Sequence, residues 1–212
     1  MKIFADRAEA GRELGARLLE KNYPRPVVFA LPRGGLPVAV EIARALKAPL
    51  DLVLVRKIGH PAQPELAIGA IVDGDNPELV INEDLRFVID RYPEEIERIK
   101  SRALEELARR RALYLKGRAR AAVEGTTAIV VDDGLATGAT ARAALRALRR
   151  QKPAKLVLAV PVAPESTVTE LASEADEIVC LETPEEFYAV GQFYRDFMQL
   201  EDSDVERYLA EF

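Results

Sequence analysis

Two adjacent carboxylates followed by a run of small residues form the part of the chain best suited to chemistry. Asp132 and Asp133 follow the apolar residues 129–131, and Gly134 allows the backbone to leave the direction of a strand. Residues 137–140, Thr-Gly-Ala-Thr, add two hydroxyls, an unobstructed backbone and the free amides of a predicted helix start. Such amides bind phosphate dianions, whereas carboxylates suit sugar hydroxyls or hydrated Mg²⁺. The segment therefore predicts a site for a phosphorylated sugar.

Two simpler roles fit this segment less well. A plain strand–turn–helix corner, in which an aspartate only caps the helix, needs one carboxylate and leaves the second without a role. No Gly-Lys-Ser or Gly-Lys-Thr occurs in the chain, so the Walker A pattern of many ATPases is absent.

Strand and helix patterns alternate along the chain and would place this segment at the edge of a sheet. Short apolar runs predict strands at residues 27–31, 50–55, 68–72, 79–81, 128–131, 156–160 and 178–181. Helical patterns cover residues 37–46, 93 toward 120, 139–150 and 165–172, and Asp6 is a candidate cap for a first helix. Residues 73–76 are expected to join two antiparallel strands. The predicted fold class is α/β, a parallel central sheet flanked by helices, with residues 1–212 in a single domain.

The composition indicates a soluble globular protein. The 212 residues are 49% hydrophobic and carry a formal net charge of −5, which fits one domain with a sizeable core and argues against a protein that coats nucleic acid. No apolar run approaches the ~20 residues that cross a bilayer. Residues 2–7 already include Lys2, Asp6 and Arg7, so the start of the sequence does not resemble a signal peptide. The single cysteine, Cys180, lies in an apolar run and cannot form an internal disulfide. We expect a cytoplasmic protein without a membrane partner.

Residues 130–140, Val-Val-Asp-Asp-Gly-Leu-Ala-Thr-Gly-Ala-Thr, resemble the signature of the type I phosphoribosyltransferases. In that signature two apolar and two acidic residues precede a short variable stretch, followed by Thr-Gly and a small residue before Thr. The resemblance implies recognition of 5-phosphoribosyl 1-pyrophosphate (PRPP), with Asp132 and Asp133 binding the ribose 2- and 3-hydroxyls. The residues implied for the 5-phosphate are Ala136, Thr137, Gly138, Ala139 and Thr140.

The same resemblance implies a pyrophosphate site. Arg33, Gly34 and Gly35 lie after the first predicted strand, where the family keeps its pyrophosphate loop. Glycine amides can approach an anion without side-chain obstruction and Arg33 adds positive charge, although a plain glycine turn into a helix is the alternative. Arg56 and Lys57 are predicted to end the next strand, where the family often places a basic residue against the pyrophosphate.

The implied catalytic set is Asp132, Asp133, Arg56 and Lys57. Residues 56–67 would form the mobile loop that closes over the reaction and excludes water, with an ordinary surface loop as the alternative. Mg²⁺ is the implied cofactor, bound through the pyrophosphate and ribose, and the two aspartates are its candidate protein ligands.

The candidate acceptor site lies in a small hood, expected from residues 183–212 with a contribution from the N-terminal segment. Residues 187–196 loosely resemble the aromatic-Val-Gly segment with which purine enzymes of the family stack the base. Tyr188 would stack, the backbone near Val190 would read a base edge, and Asp196 would accept an exocyclic amine. The dense aromatic residues fit equally well a small core that joins the C-terminal tail to the domain.

The implied reaction transfers the 5-phosphoribosyl group of PRPP to a nitrogen acceptor, expected to be a nucleobase, and releases pyrophosphate. Ala136 stands where hypoxanthine-guanine enzymes of the family place an aspartate, so that specificity is not expected. One alternative is a non-catalytic, PRPP-sensing regulatory protein that acts on RNA or a partner. The arginine-rich helix after Pro93 would be its RNA-contacting face, although a solvated face of paired charges also explains that helix. Another is a PRPP synthetase, which resembles two such domains and is disfavoured by a single Asp-Asp loop. A homodimer is expected because dimers are usual in the family.

Overall fold

The computed structural model describes residues 2–74 and 77–212. The first elements are α1 (Arg7–Leu19), β1 (Pro26–Ala30), α2 (Gly35–Leu46), β2 (Leu50–Leu52), β3 (Val55–His60), β4 (Gln63–Val72) and β5 (Glu78–Ile81). They are followed by α3 (Arg86–Arg91), α4 (Pro93–Tyr114), β6 (Thr127–Val131), α5 (Ala139–Arg150), β7 (Lys155–Val162), α6 (Glu165–Leu171), β8 (Glu177–Glu182) and α7 (Asp202–Leu209). Short 3-10 turns occur at Glu83–Leu85 and Val190–Phe193.

A five-stranded parallel sheet forms the centre of the fold, in the order β2-β1-β6-β7-β8. The predicted α/β class is therefore confirmed. Strand β6 is the middle strand, and all five of its residues are buried. Successive residues point to opposite faces: Ile129 and Val131 pack with residues of α1 and α2, and Ala128 and Val130 pack with residues of α5. The carboxyl end of β6 thus opens at the middle of the sheet edge, where ligands bind in this class of fold.

The second sheet is antiparallel, in the order β3-β4-β5. The predicted antiparallel excursion is confirmed for the strands around 68–72 and 79–81; of its connecting residues 73–76, residues 75 and 76 lie outside the described part of the chain. The prediction of one strand over residues 50–55 is wrong, because β2 ends at Leu52 and β3 begins the second sheet at Val55. Residues 50–55 are apolar apart from one aspartate and contain no turn residue, so the local sequence did not mark the break.

The structure also contradicts the prediction of a loop over residues 56–67. Strands β3 and β4 form a hairpin in which His60 pairs with Gln63, so that only residues 61 and 62 remain as the turn. Gly59, which suggested a loop, instead permits a close approach, because a Cβ there would lie 2.3 Å from the Pro64 carbonyl oxygen. Closure of this hairpin over a substrate stays a prediction.

The helices follow their predicted patterns with changes at the ends. The carboxylate of Asp6 accepts a hydrogen bond from the Glu9 amide at 2.7 Å, so its predicted capping role is confirmed. Helix α4 begins at Pro93 as expected but ends at Tyr114, short of residue 120. No helix in the described part of the chain combines the length and the apolar character needed to cross a membrane.

Candidate functional site

The two carboxylates lie at the end of β6 and are held by internal hydrogen bonds. The amide of Asp133 donates to Oδ1 of Asp132 at 2.9 Å. Nε of Arg7, the first residue of α1, donates to Oδ2 of Asp133 at 2.8 Å. The Arg7 and Asp133 side chains are only 11% and 13% exposed. One oxygen of each carboxylate is therefore engaged within the protein by an N–H donor, and the two side chains also interact with each other.

Burial makes both carboxylic acids weaker than usual. Desolvation, reinforced by the neighbouring Asp133 carboxylate, raises the pKa of Asp132 well above its ordinary value. Desolvation also raises the pKa of Asp133, and the hydrogen bond and charge of Arg7 oppose that rise. Two acids kept side by side in a desolvated position are unfavourable for folding, and such arrangements concentrate at functional sites.

The glycine pair at the start of α2 packs directly against these carboxylates. A Cβ on Gly34 would lie 2.2 Å from Oδ2 of Asp133, and one on Gly35 would lie 2.6 Å from the Val131 carbonyl oxygen. The Gly35 amide donates to the Leu31 carbonyl at 3.0 Å. This amide is engaged by the backbone rather than offered to an anion, so the expectation of a free Gly35 amide is corrected: Gly35 brings α2 close to β6.

Arg33 precedes this glycine pair and interacts with the C-terminal helix α7. Its Nη1 lies 3.6 Å from a carboxylate oxygen of Glu201 and 3.8 Å from one of Asp202, and its side chain is 27% exposed. The Pro32–Arg33 peptide bond is cis. Arg33, the cation predicted to bind pyrophosphate, therefore directly precedes Gly34, and its guanidinium is paired with two acidic residues.

The predicted phosphate loop is open to solvent and is supported from behind. Gly138 adopts a left-handed conformation with φ +67°, and a Cβ on it would lie 2.9 Å from Cδ1 of Leu171 and 3.0 Å from Cγ2 of Thr167. The Thr167 hydroxyl donates to the Ala136 carbonyl at 2.6 Å. Helix α5 starts directly after Gly138 without a capping side chain, so its first amides are available to an anion. The exposed members of the loop are Ala136, Thr137 and Thr140.

Arg56 and Lys57 do not end a strand of the main sheet, contrary to the prediction. They are exposed residues of β3 in the second sheet, paired with Ile71 and Ala70 of β4. Since adjacent strand residues point to opposite faces, the two cations do not share one direction.

The N-terminal segment pairs with the C-terminal segment, as the expected contribution to a hood requires. The Phe4 amide donates to the Phe193 carbonyl at 2.8 Å, and the amides of Arg195 and Asp196 donate to the carbonyls of Phe4 and Ala5, both at 2.9 Å. Phe4 and Phe193 are fully buried and Tyr194 is 6% exposed. These aromatic residues form a small core, which is the second of the two interpretations that the sequence allowed.

The three predicted base-binding residues differ in their surroundings. Tyr188 is 85% exposed, so its ring is accessible for stacking. Val190 packs against Gly134, where a Cβ would lie 2.6 Å from Cγ1 of the valine. Asp196 is exposed, and its Oδ1 accepts a hydrogen bond from the Met198 amide at 3.2 Å.

Two residues that contact Asp133 received no role from the sequence. The Tyr194 hydroxyl donates to the Asp133 carbonyl at 2.5 Å, and Arg7 binds the Asp133 carboxylate. A signal for Arg7 does exist in the sequence: it follows a capping aspartate, at a helix N-terminus where the dipole disfavours a cation. Such a placement points to a specific acidic partner.

The carboxylates suit a metal ion only in combination with a ligand. No group of three or more His, Cys, Asp or Glu side chains within residues 2–74 and 77–212 is arranged to hold a metal ion. Asp132 and Asp133 together offer only two carboxylates, and Mg²⁺ requires octahedral oxygen coordination. These residues therefore fit an Mg²⁺ ion that takes most of its ligands from a bound pyrophosphate and water.

The chain matches known proteins over most of its length. Residues 3–197 match the family described as the phosphoribosyl transferase domain. Two Mycobacterium tuberculosis proteins, from strains CDC 1551 and H37Rv and provisionally named phosphoribosyl transferases, are 46% identical over 209 residues. The alignment covers 99% of this chain and 47% of each relative, so the chain spans about half the length of the curated relatives it matches.

Solved structures share the fold. The crystal structure of TT1426 from Thermus thermophilus has 42% sequence identity and a TM-score of 0.86, covering 100% of this chain and 99% of that chain. AQ2163 from Aquifex aeolicus, at 13% identity and a TM-score of 0.53 over 87% of this chain and 78% of that chain, shares the fold alone. By its matched residues, the chain belongs to the phosphoribosyl transferase domain family.

Proposed function

We propose that this domain binds PRPP and transfers its 5-phosphoribosyl group to a nitrogen acceptor, with release of pyrophosphate. The observation that carries the proposal is the contact between Gly34 and the Asp133 carboxylate, where a Cβ would lie 2.2 Å from Oδ2. This contact places the predicted pyrophosphate loop against the carboxylate pair. The connection from β6 to α5, which carries that pair, then leads to the open start of α5. A single ligand that carries pyrophosphate, ribose and phosphate would meet the predicted pyrophosphate loop, the carboxylate pair and the start of α5 in that order.

In this proposal the first amides of α5 and the hydroxyls of Thr137 and Thr140 bind the 5-phosphate. The carboxylates of Asp132 and Asp133 accept hydrogen bonds from the ribose hydroxyls. The bond between ribose C1 and the pyrophosphate oxygen breaks, and the acceptor nitrogen forms the new bond to C1. Because positive charge develops on the ribose in such reactions, the carboxylates stabilise the transition state as well as positioning the sugar.

The leaving pyrophosphate would be neutralised by cations that approach it on binding. Arg33 would exchange its ion pairs with Glu201 and Asp202 for the pyrophosphate oxygens. Mg²⁺ bound to the pyrophosphate would supply further positive charge when present. Arg56 and Lys57 would join only if the β3–β4 hairpin, the predicted mobile loop of residues 56–67, moves over the site.

The acceptor would occupy the side of the site nearest the C-terminal segment. The accessible Tyr188 ring supports stacking on a planar base, with the backbone near Val190 and the Asp196 carboxylate as candidate polar contacts. Ala136 has no acidic group, so proton transfer of the hypoxanthine-guanine type is not part of the proposal. The proposal also includes a cytoplasmic location, which the composition suggests, and a homodimer, which the family resemblance suggests.

The test is a pyrophosphate-release assay with PRPP, Mg²⁺ and a panel of purine and pyrimidine bases. We expect release with at least one base, and a loss of about 10- to 1,000-fold in Asp132→Asn and Asp133→Asn, the scale for removing one positioned electrostatic group. Asp90→Asn, at an exposed aspartate of α3, is the matched control and should keep full activity. Full release by both site variants would contradict the assigned roles.

Binding without turnover would instead support the regulatory alternative. A PRPP sensor would bind PRPP tightly and release no pyrophosphate with any base. The contacts of α4 give little support to a regulatory protein that binds RNA through this helix. Nε of Arg109 and Nε of Arg110 lie 2.9 Å and 2.7 Å from carboxylate oxygens of Glu106. Such neutralised pairs are typical of a solvated charged face.

A further inference from the structure

Four residues form a closed ring of contacts around one carboxylate of the site. Nε of Arg7 donates to Oδ2 of Asp133 at 2.8 Å. The guanidinium carbon of Arg7 lies 3.8 Å from the centre of the Phe197 ring. That ring stacks on Tyr194, with 5.0 Å between centroids and 25° between planes. The Tyr194 hydroxyl returns to the Asp133 carbonyl at 2.5 Å, so both the side chain and the main chain of Asp133 are held.

Arg7 makes the contact that closes this ring. Its Nη1 also donates to the Met198 carbonyl at 3.0 Å, so one guanidinium bridges β6 and the C-terminal segment. A planar guanidinium can donate in fixed directions and stack on an aromatic face at the same time, which an ammonium group cannot do. The geometry therefore uses the shape of arginine as well as its charge.

The arrangement is a poor choice for stability alone. Buried ion pairs contribute little net stability because desolvation offsets the attraction. Arg7 is also the first residue of α1, where the helix dipole disfavours a positive charge. A precise orientation of the Asp133 carboxylate is the evident gain from this placement.

We propose that Arg7 is a positioning residue: it fixes the Asp133 carboxylate in the orientation that binds the ribose hydroxyls. This inference rests on the proposed function. Arg7 acts through Asp133 and through its contact with Phe197, and it makes no bond in the reaction. Tyr194 supports the same orientation from the main-chain side.

The experiment measures binding of ribose 5-phosphate and of inorganic phosphate by calorimetry, without an acceptor. In Arg7→Lys, which keeps the charge but loses the directed fork, ribose 5-phosphate should bind about 10-fold more weakly, the scale for a charge-assisted hydrogen bond. In Tyr194→Phe, which loses one hydroxyl, the loss should be about threefold to fivefold. Inorganic phosphate should bind all variants within about twofold of the wild type, because the amides proposed to bind it belong to α5.

Arg12→Lys is the matched control, because Arg12 is an exposed residue of the same helix, and it should bind both ligands like the wild type. The inference is overturned if Arg7→Lys and Tyr194→Phe bind ribose 5-phosphate as the wild type does. It is also overturned if they lose phosphate and ribose 5-phosphate equally, or if circular dichroism shows both variants unfolded, since Arg7 would then serve stability. If the wild type binds neither ribose 5-phosphate nor PRPP, the proposed function fails instead.

Discussion

Gly34 approaches the Asp133 carboxylate so closely that a Cβ would lie 2.2 Å from Oδ2 and 3.0 Å from Oδ1. The atoms met by that Cβ belong to the end of a side chain, which can rotate away. We therefore expect Gly34→Ala to displace the carboxylate and leave the fold intact. Its affinity for ribose 5-phosphate should fall about 10-fold or more, on the scale of a lost charge-assisted contact.

Gly35→Ala provides the contrast. Its Cβ would meet backbone atoms, 2.6 Å from the Val131 carbonyl oxygen and 2.8 Å from the Asp132 Cα. Backbone atoms of a central strand cannot move aside, so this variant should lose about 1–3 kcal/mol of unfolding free energy, the usual range for overpacking. Denaturant unfolding of both variants separates the two outcomes, and an equally destabilised Gly34→Ala contradicts the distinction.

Asp132→Asn should stabilise the folded protein at neutral pH while it impairs binding. Burial and the Asp133 charge raise the pKa of Asp132, so between its ordinary and raised pKa the folded state binds more protons than the unfolded state. Stability contributed by the neutral acid is therefore lost as pH rises through that window. Asparagine does not ionise, and a gain of ~1 kcal/mol would raise the melting temperature by roughly 2–4 °C.

The pH dependence of that difference checks the cause. The advantage of Asp132→Asn should shrink as the pH falls toward 4, because the wild-type acid is then protonated in the folded state. Asp90→Asn, at an exposed position, should show no such trend. A variant less stable than the wild type at pH 7 would refute the argument from burial.

Gly138→Ala should weaken phosphate binding. The left-handed conformation at φ +67° is unfavourable for alanine, and its Cβ would contact Leu171 and Thr167 at 2.9 Å and 3.0 Å. We expect a stability loss of ~1–2 kcal/mol from the conformation alone. The affinity for inorganic phosphate should fall as well, because the start of α5 must shift.

Gly117→Ala is the control for conformation without contact. Gly117 also has a positive φ, +75°, but its Cβ would meet nothing within 4 Å. It should lose stability to a similar or smaller extent and bind phosphate like the wild type. Equal phosphate affinities in the two variants would show that the contacts behind Gly138 have no part in binding.

Glu201→Gln should tighten the binding of inorganic pyrophosphate. Glu201 is 68% exposed and lies 3.6 Å from Nη1 of Arg33, so it competes with an incoming anion. Exposed pairs contribute up to ~1 kcal/mol, which limits the gain to about fivefold. Titration with pyrophosphate at low and high salt measures it, with Glu185→Gln at another exposed glutamate as the control; weaker binding by Glu201→Gln would exclude the competition.

The parts of the site that lie close together in sequence were predictable. The apolar strand, the Asp132–Asp133 pair and the start of α5 follow one another directly in the sequence. The apolar run, the turn glycine and the helical pattern that mark them depend only on neighbouring residues. The parallel sheet followed from the same alternation of strands and helices. The contact between Arg7 and Asp133 spans 126 residues, and no local pattern specifies which distant cation meets a buried acid.

The failures have a similar physical origin. The break between Leu52 and Val55 has no glycine or proline to mark it, and it moved Arg56 and Lys57 from the main sheet to the second one. The prolines and glycine of residues 59–64 indicated a loop, although pairing with β4 makes this segment a hairpin. Tertiary pairing overrode local composition in both places.

Helix α7 lies after residue 197, where the match to the family ends, yet its acidic residues face Arg33. The region matched by the family thus contains the candidate anion-binding cation, and the segment beyond it carries the two carboxylates that pair with that cation. If Arg33 binds pyrophosphate as proposed, substitutions confined to this segment would change product inhibition without altering any residue of the region that the family match covers.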